Sequence, residues 1–150
     1  MTHPGPIFVD TNVVIYSRSD DPRWGLARQV LKLCADRSGW FFTDSEVLQE
    51  ILHHLRRVGA SAATGGTVRD LAGLLLGDVE SVGLIDVVRA GGLGTRHPSV
   101  STRDLVHLAV MERRGSTRIV SADSDFDAIT GITRLDPFAV EAWAGMVERT

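Results

Sequence analysis

The most constraining feature of this sequence is the alternation of short apolar runs with longer segments in which apolar residues recur at helical spacing. The short runs predict buried strands, and the longer segments predict amphipathic helices. Strands that alternate with helices favour an α/β fold in which a parallel β-sheet is flanked by helices on both faces. The predicted strands lie at residues 6–10, 40–43, 118–121 and 133–135.

The predicted helices have recognisable start and stop signals. The first begins near Pro22, just after two acidic residues, and stops at Gly39. Thr43 and Glu46 have the spacing of a capping box for the second helix, which ends at Gly59. Residues 60–66 are small and suggest a flexible connection. Further helices are predicted from Thr67 to about Leu76, from Ser101 to Gly115, and from Pro137 to Trp143.

The segment from Val79 to Gly94 fits neither pattern well. Residues 84–88 (LIDVV) look like a strand, but they run into Gly91 and Gly92, which suit neither a strand nor a helix. The sequence therefore leaves the structure of this segment open.

Composition limits the class of protein. The 150 residues, 43% of them hydrophobic and 23% charged, suit a single globular domain spanning residues 1–150. No apolar run reaches the roughly 18 residues of a membrane span, and the N-terminus lacks the basic and apolar regions of a secretory signal. Cys34 is the single cysteine, which excludes an internal disulfide. We therefore expect a cytoplasmic protein with no membrane association, and its net charge of −3 provides no overall basic field for nucleic acid.

Four acidic residues stand at positions that point to a common site. Asp10 and Asp123 each follow an apolar strand, and parallel α/β sheets bind ligands in the crevice beyond the carboxyl ends of their strands. Glu50 and Asp104 lie inside predicted helices beside apolar neighbours, where a carboxylate is costly to bury unless it is paired or holds a metal. Converging carboxylates resist ionisation, and a magnesium or manganese ion with oxygen ligands would resolve that conflict.

Each acid also has a purely structural interpretation. Asp10 could cap a helix that starts at residue 11, and Glu50 could be a solvated helix residue. Asp104 could be a first-turn acid that the helix dipole favours, and the acids of residues 123–127 could form a polar turn. The residue pattern by itself therefore leaves both interpretations open.

Four short blocks, taken together in their order and spacing, resemble the signature of PIN-domain proteins, and most nearly that of VapC-type toxins. The blocks are residues 9–12 (VDTN), 47–52 (VLQEIL), 103–109 (RDLVHLA) and 121–126 (SADSDF). The resemblance implies a magnesium- or manganese-dependent endoribonuclease that acts as the toxin of a type II toxin–antitoxin pair. It also implies three partners, namely an RNA substrate, a small antitoxin protein that blocks the acidic pocket, and a second copy of the chain.

The resemblance also implies roles for individual residues. Its catalytic quartet falls on Asp10, Glu50, Asp104 and Asp123, with Asp10, Asp104 and Asp123 as metal ligands. Asn12, Ser121 and Asp125 fall on positions that orient the ligands or the substrate. Strand alternation independently places Ser121 and Asp123 on the same face.

Two arginines and a histidine complete the candidate site. Arg96 and Arg103 flank the entry to the helix that carries Asp104, and we expect them to contact RNA phosphates. His107 is interpreted as a packed or supporting residue rather than a metal ligand. Exposed apolar helix surface around residues 24–33 and 47–55 is the expected antitoxin groove.

Three rival functions compete with the toxin hypothesis. A PIN-type ribonuclease of RNA processing would need no antitoxin, and a catalytically idle binding module would keep only the fold. A phosphatase with Asp10 as nucleophile is disfavoured, because no Asp-x-Asp pair stands at that strand.

Overall fold

The computed structural model describes residues 5–59, 61–74 and 78–147 and confirms the predicted α/β architecture. Its strands are β1 (Ile7–Val9), β2 (Phe41–Asp44), β3 (Val79–Glu80), β4 (Arg118–Val120) and β5 (Thr133–Leu135). Its α-helices are α1 (Thr11–Ser17), α2 (Trp24–Asp36), α3 (Ser45–Arg57), α4 (Ser61–Leu74), α5 (Leu84–Arg96), α6 (Thr102–Arg113) and α7 (Val140–Trp143). Short 3₁₀ turns lie at Ser124–Ala128, Pro137–Ala139 and Ala144–Met146.

The five strands form one parallel sheet in the order β3-β2-β1-β4-β5. The four predicted strands are confirmed, each within a residue or two of its predicted bounds, whereas the two-residue β3 is too short to leave a pattern in the sequence. Because β1 is central and pairs with both β2 and β4, the residues that follow these three strands meet at one edge of the sheet.

The centre of the sheet is fully buried, which explains why its strands are continuous apolar runs rather than alternating ones. Ile7, Phe8 and Val9 of β1 are at most 1% exposed. The Phe8 ring packs edge-on against Phe42 at 5.3 Å and lies 5.1 Å from the imidazole of His107. Each such buried apolar side chain contributes about 1.5–3 kcal/mol to folding, so the strands that carry the candidate site are rigid.

The structure decides the segment that the sequence left open: residues 84–88, although they look like a strand, begin helix α5. Asp86 is buried, and its carboxylate accepts a hydrogen bond from the Gly83 backbone N–H at 3.0 Å, which caps the new helix. Asp86, Ala90 and Leu93 form the buried stripe at helical spacing. The apolar residues that suggested a strand face solvent instead, with Leu84 80% and Ile85 71% exposed.

A glycine on α5 also has a clear packing role. A Cβ at Gly94 would lie 3.2 Å from Leu105 Cδ1 of α6, so this position allows α5 and α6 to approach closely. The glycines that argued against a regular structure in this segment are therefore compatible with a helix packed on its neighbour.

Two other segments differ from the sequence-based expectation. Helix α4 starts at Ser61, so most of the expected flexible connection at residues 60–66 is helical, as suits its alanine content. The predicted end of that helix near Leu76 lies outside the described residues. Helix α1 follows β1 directly, and it was predicted only by the alternative interpretation in which Asp10 caps a helix that starts at residue 11.

A cluster of five charged residues, here called the paired cluster, ties α6 to β3 and α5. It consists of Asp78, Glu80, Asp86, Arg113 and Arg114. Arg113 donates to Asp86 at 2.9 Å and to Glu80 at 2.8 Å, and Arg114 donates to Asp78 at 2.9 Å and to Glu80 at 2.7 Å. These ion pairs fix the position of α6, the helix that also carries Asp104.

In the part of the chain that the structure describes, no helix combines the length and the apolar character needed to cross a membrane.

Candidate functional site

Asp10 follows β1 and is held from several sides. One carboxylate oxygen accepts from the Thr11 backbone N–H at 2.8 Å, and the other accepts from the Ser121 hydroxyl at 2.7 Å and the Asn12 amide at 3.2 Å. Asp10 is 6% exposed. It therefore caps α1, as the structural interpretation required, and at the same time presents a fixed carboxylate at the edge of the sheet.

Asn12 and Ser121 join the loops that follow β1 and β4. The Asn12 amide donates to Ser121 Oγ at 3.0 Å, and its carbonyl oxygen accepts from the Ala122 backbone N–H at 3.0 Å. Ser121 Oγ also accepts from the Asp123 backbone N–H at 3.0 Å. The two residues expected to orient the acids thus lie between Asp10 and Asp123.

Glu50 reaches the same region from the middle of α3. One of its carboxylate oxygens accepts from the Thr11 hydroxyl at 2.6 Å, and the other lies 3.2 Å from His107 Nε2. The expected capping box of Thr43 and Glu46 is wrong. Asp44 caps α3 by accepting from the Val47 N–H at 2.9 Å, while the Thr43 hydroxyl donates to the Val9 carbonyl inside the sheet.

Asp104 and Asp123 are also placed by helix-start geometry. Ser101 caps α6 by accepting from the Asp104 backbone N–H at 3.2 Å, so Asp104 sits in the first turn. The Asp123 carboxylate accepts from the Asp125 backbone N–H at 2.9 Å at the start of a 3₁₀ turn. Asp104 and Asp123 therefore each take part in a helix start and also belong to the candidate site.

All four acids of the expected quartet line one open crevice of about 300 Å³. The crevice lies at the carboxyl ends of β1 and β4, where parallel α/β sheets bind ligands. Arg103 is the one basic residue among those that line it. The lining consists of Asp10, Thr11, Asn12, Ile15, Glu50, Ser101, Arg103, Asp104 and Asp123.

The acids of the crevice differ in how readily they ionise. Burial raises the pKa of Asp10, and it raises the pKa of Asp104 to about 6, to which the negative charge of Asp10 adds. Burial opposes ionisation of Glu50 as well, but hydrogen bonds from His107 and Thr11 outweigh it, so the pKa of Glu50 is lowered. The crevice therefore concentrates negative charge that its own residues only partly offset.

His107 is the basic group next to this charge. Burial disfavours its charged form, but hydrogen bonds to Asp44 and Glu50 prevail and raise the pKa of His107 to about 10. Its two ring nitrogens then both carry protons and donate, Nδ1 to Asp44 at 2.7 Å and Nε2 to Glu50 at 3.2 Å.

The donor set of the crevice fits a hard divalent cation, because it consists mainly of carboxylate oxygens. Among residues 5–59, 61–74 and 78–147, the one group of three ligand atoms within 4.8 Å of one another comes from Asp10, Glu50 and His107. The set expected from the sequence was Asp10, Asp104 and Asp123. Asp10 is common to both sets, while Asp104 and Asp123 lie on the same crevice at wider spacing.

Three residues of the expected site are not among those that line the crevice. Ser121 is buried and reaches the site by donating to Asp10. Asp125 is exposed, and it meets the site only through its backbone N–H to Asp123. Arg96 lines a separate cavity of about 360 Å³, together with Arg89 and His97. Of the two arginines expected to contact RNA, the structure brings only Arg103 to the acids.

Sequence reasoning missed two residues that hold the site together. Thr11 donates to Glu50, and Asp44 pairs with His107. Thr11 could have been suspected from its position next to Asp10, whereas nothing local distinguishes the buried Asp44 from an ordinary helix cap.

The chain is similar to known proteins of one family. The family model of the PIN domain matches residues 7–132. Ribonuclease VapC23 of Mycobacterium tuberculosis is 36% identical over 118 residues, which cover 78% of this chain and 92% of the relative. Ribonuclease VapC13 of the same organism is 32% identical over 130 residues, 86% of this chain and 98% of the relative.

Solved structures show the same fold. M. tuberculosis VapC20, described as a Sarcin-Ricin loop cleaving toxin, superposes with a TM-score of 0.64 at 26% identity and covers 81% of this chain and 93% of its own. DNA-bound VapBC from Salmonella typhimurium gives a TM-score of 0.68 at 20% identity over 88% of this chain and 98% of its own. At 20% identity, the similarity to the Salmonella structure is a similarity of fold alone.

Proposed function

This protein belongs to the PIN domain family and, within it, is similar to the VapC ribonucleases; from that premise we propose that it is a metal-dependent endoribonuclease and the toxin of a type II toxin–antitoxin pair. The observation that carries the proposal is the convergence of Asp10, Glu50, Asp104 and Asp123 on one crevice. A catalytically idle module would have no reason to keep four acids together at a cost in folding free energy.

The chain's own residues define what the crevice can do. Asp10, Asp104 and Asp123 are the proposed ligands of a magnesium or manganese ion. Such an ion, when bound, activates water and neutralises charge on a phosphodiester. Arg103, at the rim, is placed to hold an RNA phosphate, because guanidinium groups bind phosphate oxygens in pairs. Glu50, ionised and fixed by Thr11 and His107, is placed to orient or accept a proton from the attacking water.

The proposal is tested by induced expression of the wild type and of Asp10→Asn, with growth and cellular RNA followed in parallel. The substitution is nearly isosteric and removes one charge, so circular dichroism should report an unchanged fold. Asp20→Asn serves as a matched control, because Asp20 is exposed and lies outside the crevice. We expect growth arrest and discrete RNA cleavage from the wild type and the control, and neither from Asp10→Asn.

Other outcomes would select a rival function. If wild type and Asp10→Asn behave alike, the acids are structural and the idle binding module is the better interpretation. If RNA is cleaved without growth arrest, and no small neighbouring gene product inhibits the cleavage, an RNA-processing nuclease without an antitoxin is favoured.

Removal of divalent ions with EDTA should abolish cleavage, and addition of Mg²⁺ or Mn²⁺ should restore it.

The antitoxin is proposed to bind an apolar groove between α1 and α3. A cavity of about 180 Å³ there is lined mainly by apolar residues of these two helices, and a second cavity of about 120 Å³ continues from Val14 and Arg18 towards α2 and α4. Leu52 of the expected surface is 37% exposed, but Leu55 is only 6% exposed. Leu55 therefore forms the floor of the groove, and a polar residue there would test folding rather than docking.

The second copy is proposed to cover the exposed apolar residues at the start of α5. Four of them, Leu84, Ile85, Val87 and Val88, are between 54% and 80% exposed, and contiguous apolar surface of this kind marks an interaction site. Val58→Glu, at an exposed residue that lines the apolar groove between α1 and α3, should weaken co-purification with the antitoxin and leave the dimer intact. Ile85→Glu should disrupt the dimer, as measured by size-exclusion chromatography, and leave co-purification with the antitoxin unchanged. Loss of both properties in either variant would contradict this division of surfaces.

A further inference from the structure

A buried acid–histidine pair lies directly behind the crevice, and the proposed chemistry uses only the contact of His107 with Glu50 and assigns Asp44 no part. The side chains of Asp44 and His107 are 0% and 1% exposed, and Asp44 Oδ2 lies 2.7 Å from His107 Nδ1. Burial of two ionisable groups is costly unless geometry and further hydrogen bonds compensate. The pair therefore needs a role beyond filling the core.

The pair is anchored by three separate elements. Asp44 ends β2 and caps α3 through its other oxygen, which accepts from the Val47 N–H at 2.9 Å. His107 lies on α6 in the turn after Asp104, with its ring against Phe8 of β1. Neither side chain can rotate without breaking the helix cap or the core packing. His107 Nε2 thus has a fixed position and a fixed direction.

That fixed nitrogen points at Glu50. Its distance to Glu50 Oε1 is 3.2 Å, while the Thr11 hydroxyl donates to Oε2 at 2.6 Å. The Glu50 side chain is only 13% exposed, so little solvent competes for either oxygen. Both oxygens of this carboxylate are therefore held by donors from the protein, one from α1 and one from α6.

We propose that Asp44 and His107 form a positioning pair that fixes the carboxylate of Glu50 through an Nε2–H hydrogen bond, so that His107 is not a metal ligand. The inference rests on the proposed nuclease function. Asp44 orients the ring, as carboxylates orient imidazoles beside other reactive groups. His107 then restricts Glu50 to one geometry, and misplacement of a reacting group by about 1 Å can cost roughly 10²-fold in rate.

The competing interpretation is that His107 joins Asp10 and Glu50 as a ligand, since their three ligand atoms lie within 4.8 Å of one another. Ligation requires a free lone pair on Nε2, but a lone pair facing Glu50 Oε1 at 3.2 Å would be repelled by it. A proton on Nε2 turns the same contact into an attraction. Magnesium and manganese also favour oxygen over imidazole ligands.

Pulsed electron paramagnetic resonance of the Mn²⁺-loaded wild-type protein separates the two interpretations without relying on a variant that folds. We expect no ¹⁴N modulation of the kind that a directly bound imidazole produces, and the same spectrum for His107→Gln. A ligated-imidazole signal that disappears in His107→Gln would overturn the inference.

Kinetics of RNA cleavage test the positioning role. Asp44→Asn keeps the size and the cap acceptor but removes the charge that orients His107, and we expect a fall in kcat of roughly tenfold or more, with KM and Mn²⁺ affinity unchanged. In a Glu50→Gln background, we expect Asp44→Asn to lower kcat no further, because the carboxylate that the pair positions is already absent. His53→Gln, an exposed residue of α3, is the matched control for His107→Gln and should behave as the wild type.

The two levels of the argument fail in different ways. If the wild type neither binds Mn²⁺ nor cleaves RNA, the proposed function is wrong. If it does both, but Asp44→Asn lowers kcat by the same factor with and without Glu50, or leaves kcat unchanged while remaining folded, the positioning role alone is wrong.

Discussion

The protein holds two acidic clusters that share residue types and differ in their partners. In the paired cluster, hydrogen bonds from Arg113 lower the pKa of both Glu80 and Asp86. In the crevice, burial raises the pKa of Asp10 and Asp104. The first cluster is complete in the folded chain and joins β3, α5 and α6, whereas the second retains negative charge that a bound cation would neutralise. The comparison separates acids whose ionised form is stabilised by arginine from acids whose ionised form is opposed by burial.

The largest expected difference between the clusters is in activity. Asp104→Asn should reduce RNA cleavage by roughly 10²–10³-fold, because a lost charge-stabilising group in a preorganised site costs about that much. Asp86→Asn removes a carboxylate of the paired cluster and should retain cleavage per folded molecule. Single-turnover cleavage of an RNA oligonucleotide at saturating Mn²⁺ measures both. Equal losses in the two variants would remove the functional distinction between the clusters.

The next effect is on stability, and here the paired cluster, not the crevice, is expected to be the one that suffers from substitution. Asp86→Asn should lower the free energy of unfolding by about 1–3 kcal/mol, because Arg113 and the Gly83 N–H lose a buried charged acceptor. Urea unfolding with an unchanged m-value would report this. Glu112→Gln breaks an exposed pair with Arg89 and should cost no more than about 0.5 kcal/mol. If the exposed and buried pairs prove equal in cost, burial is not what gives the paired cluster its strength.

A smaller effect should appear in the pH dependence of the metal-free protein. The pKa of Asp104 is 3.8 when unperturbed and about 6 in the fold, so between these values the folded state binds the proton more tightly. The contribution of Asp104 to stability therefore falls as pH rises through that window. Asp104→Asn should be more stable than wild type by about 1 kcal/mol above pH ~7, after allowance for solvent screening.

That stability gain should vanish near pH ~3, below the unperturbed pKa, where the wild-type carboxyl is protonated in the fold and largely so in the unfolded chain. Thermal unfolding in EDTA across this range is the measurement. The paired cluster predicts the opposite sign, because the lowered pKa of Asp86 makes its contribution disappear as pH falls. A gain for Asp104→Asn that stays constant with pH would contradict the assignment of the effect to ionisation.

The smallest effect concerns the one arginine that lines the crevice. Arg103→Ala should raise KM for RNA a few-fold and reduce the salt dependence of binding by about one counterion. Arg96→Ala is the informative partner, because Arg96 lines a different cavity. An equal effect of the two substitutions would support the sequence-based expectation that both arginines contact RNA, and would extend the RNA path from the crevice towards α5.

Much of the fold could be predicted because the central strands are buried on both faces. The apolar runs around Phe8, Phe42 and Ile119 identify β1, β2 and β4, in that order, without any tertiary information. The same rule could not decide residues 84–88, where an apolar run is exposed on a helix. A run of apolar residues indicates low affinity for water, but it does not indicate which part of the protein, or which partner, buries the run. Neither periodicity nor composition supplies that information.

The candidate site, like the fold, has features that the sequence determines and features that only the tertiary structure decides. The sequence by itself determined that Asp10 and Asp123 stand at strand ends and that Glu50 and Asp104 stand inside helices beside apolar neighbours, because strand ends and helix phases are local properties of the chain. Only the tertiary structure decided which acids meet an arginine and which do not. Arg103 and Arg113 lie at opposite ends of the same helix, yet Arg103 lines the crevice, whereas Arg113 forms ion pairs with Glu80 and Asp86. Ion pairing depends on contact within about 4 Å, and residues as distant in sequence as Asp86 and Arg113, or Asp44 and His107, reach that distance only through the packing of the sheet and its helices.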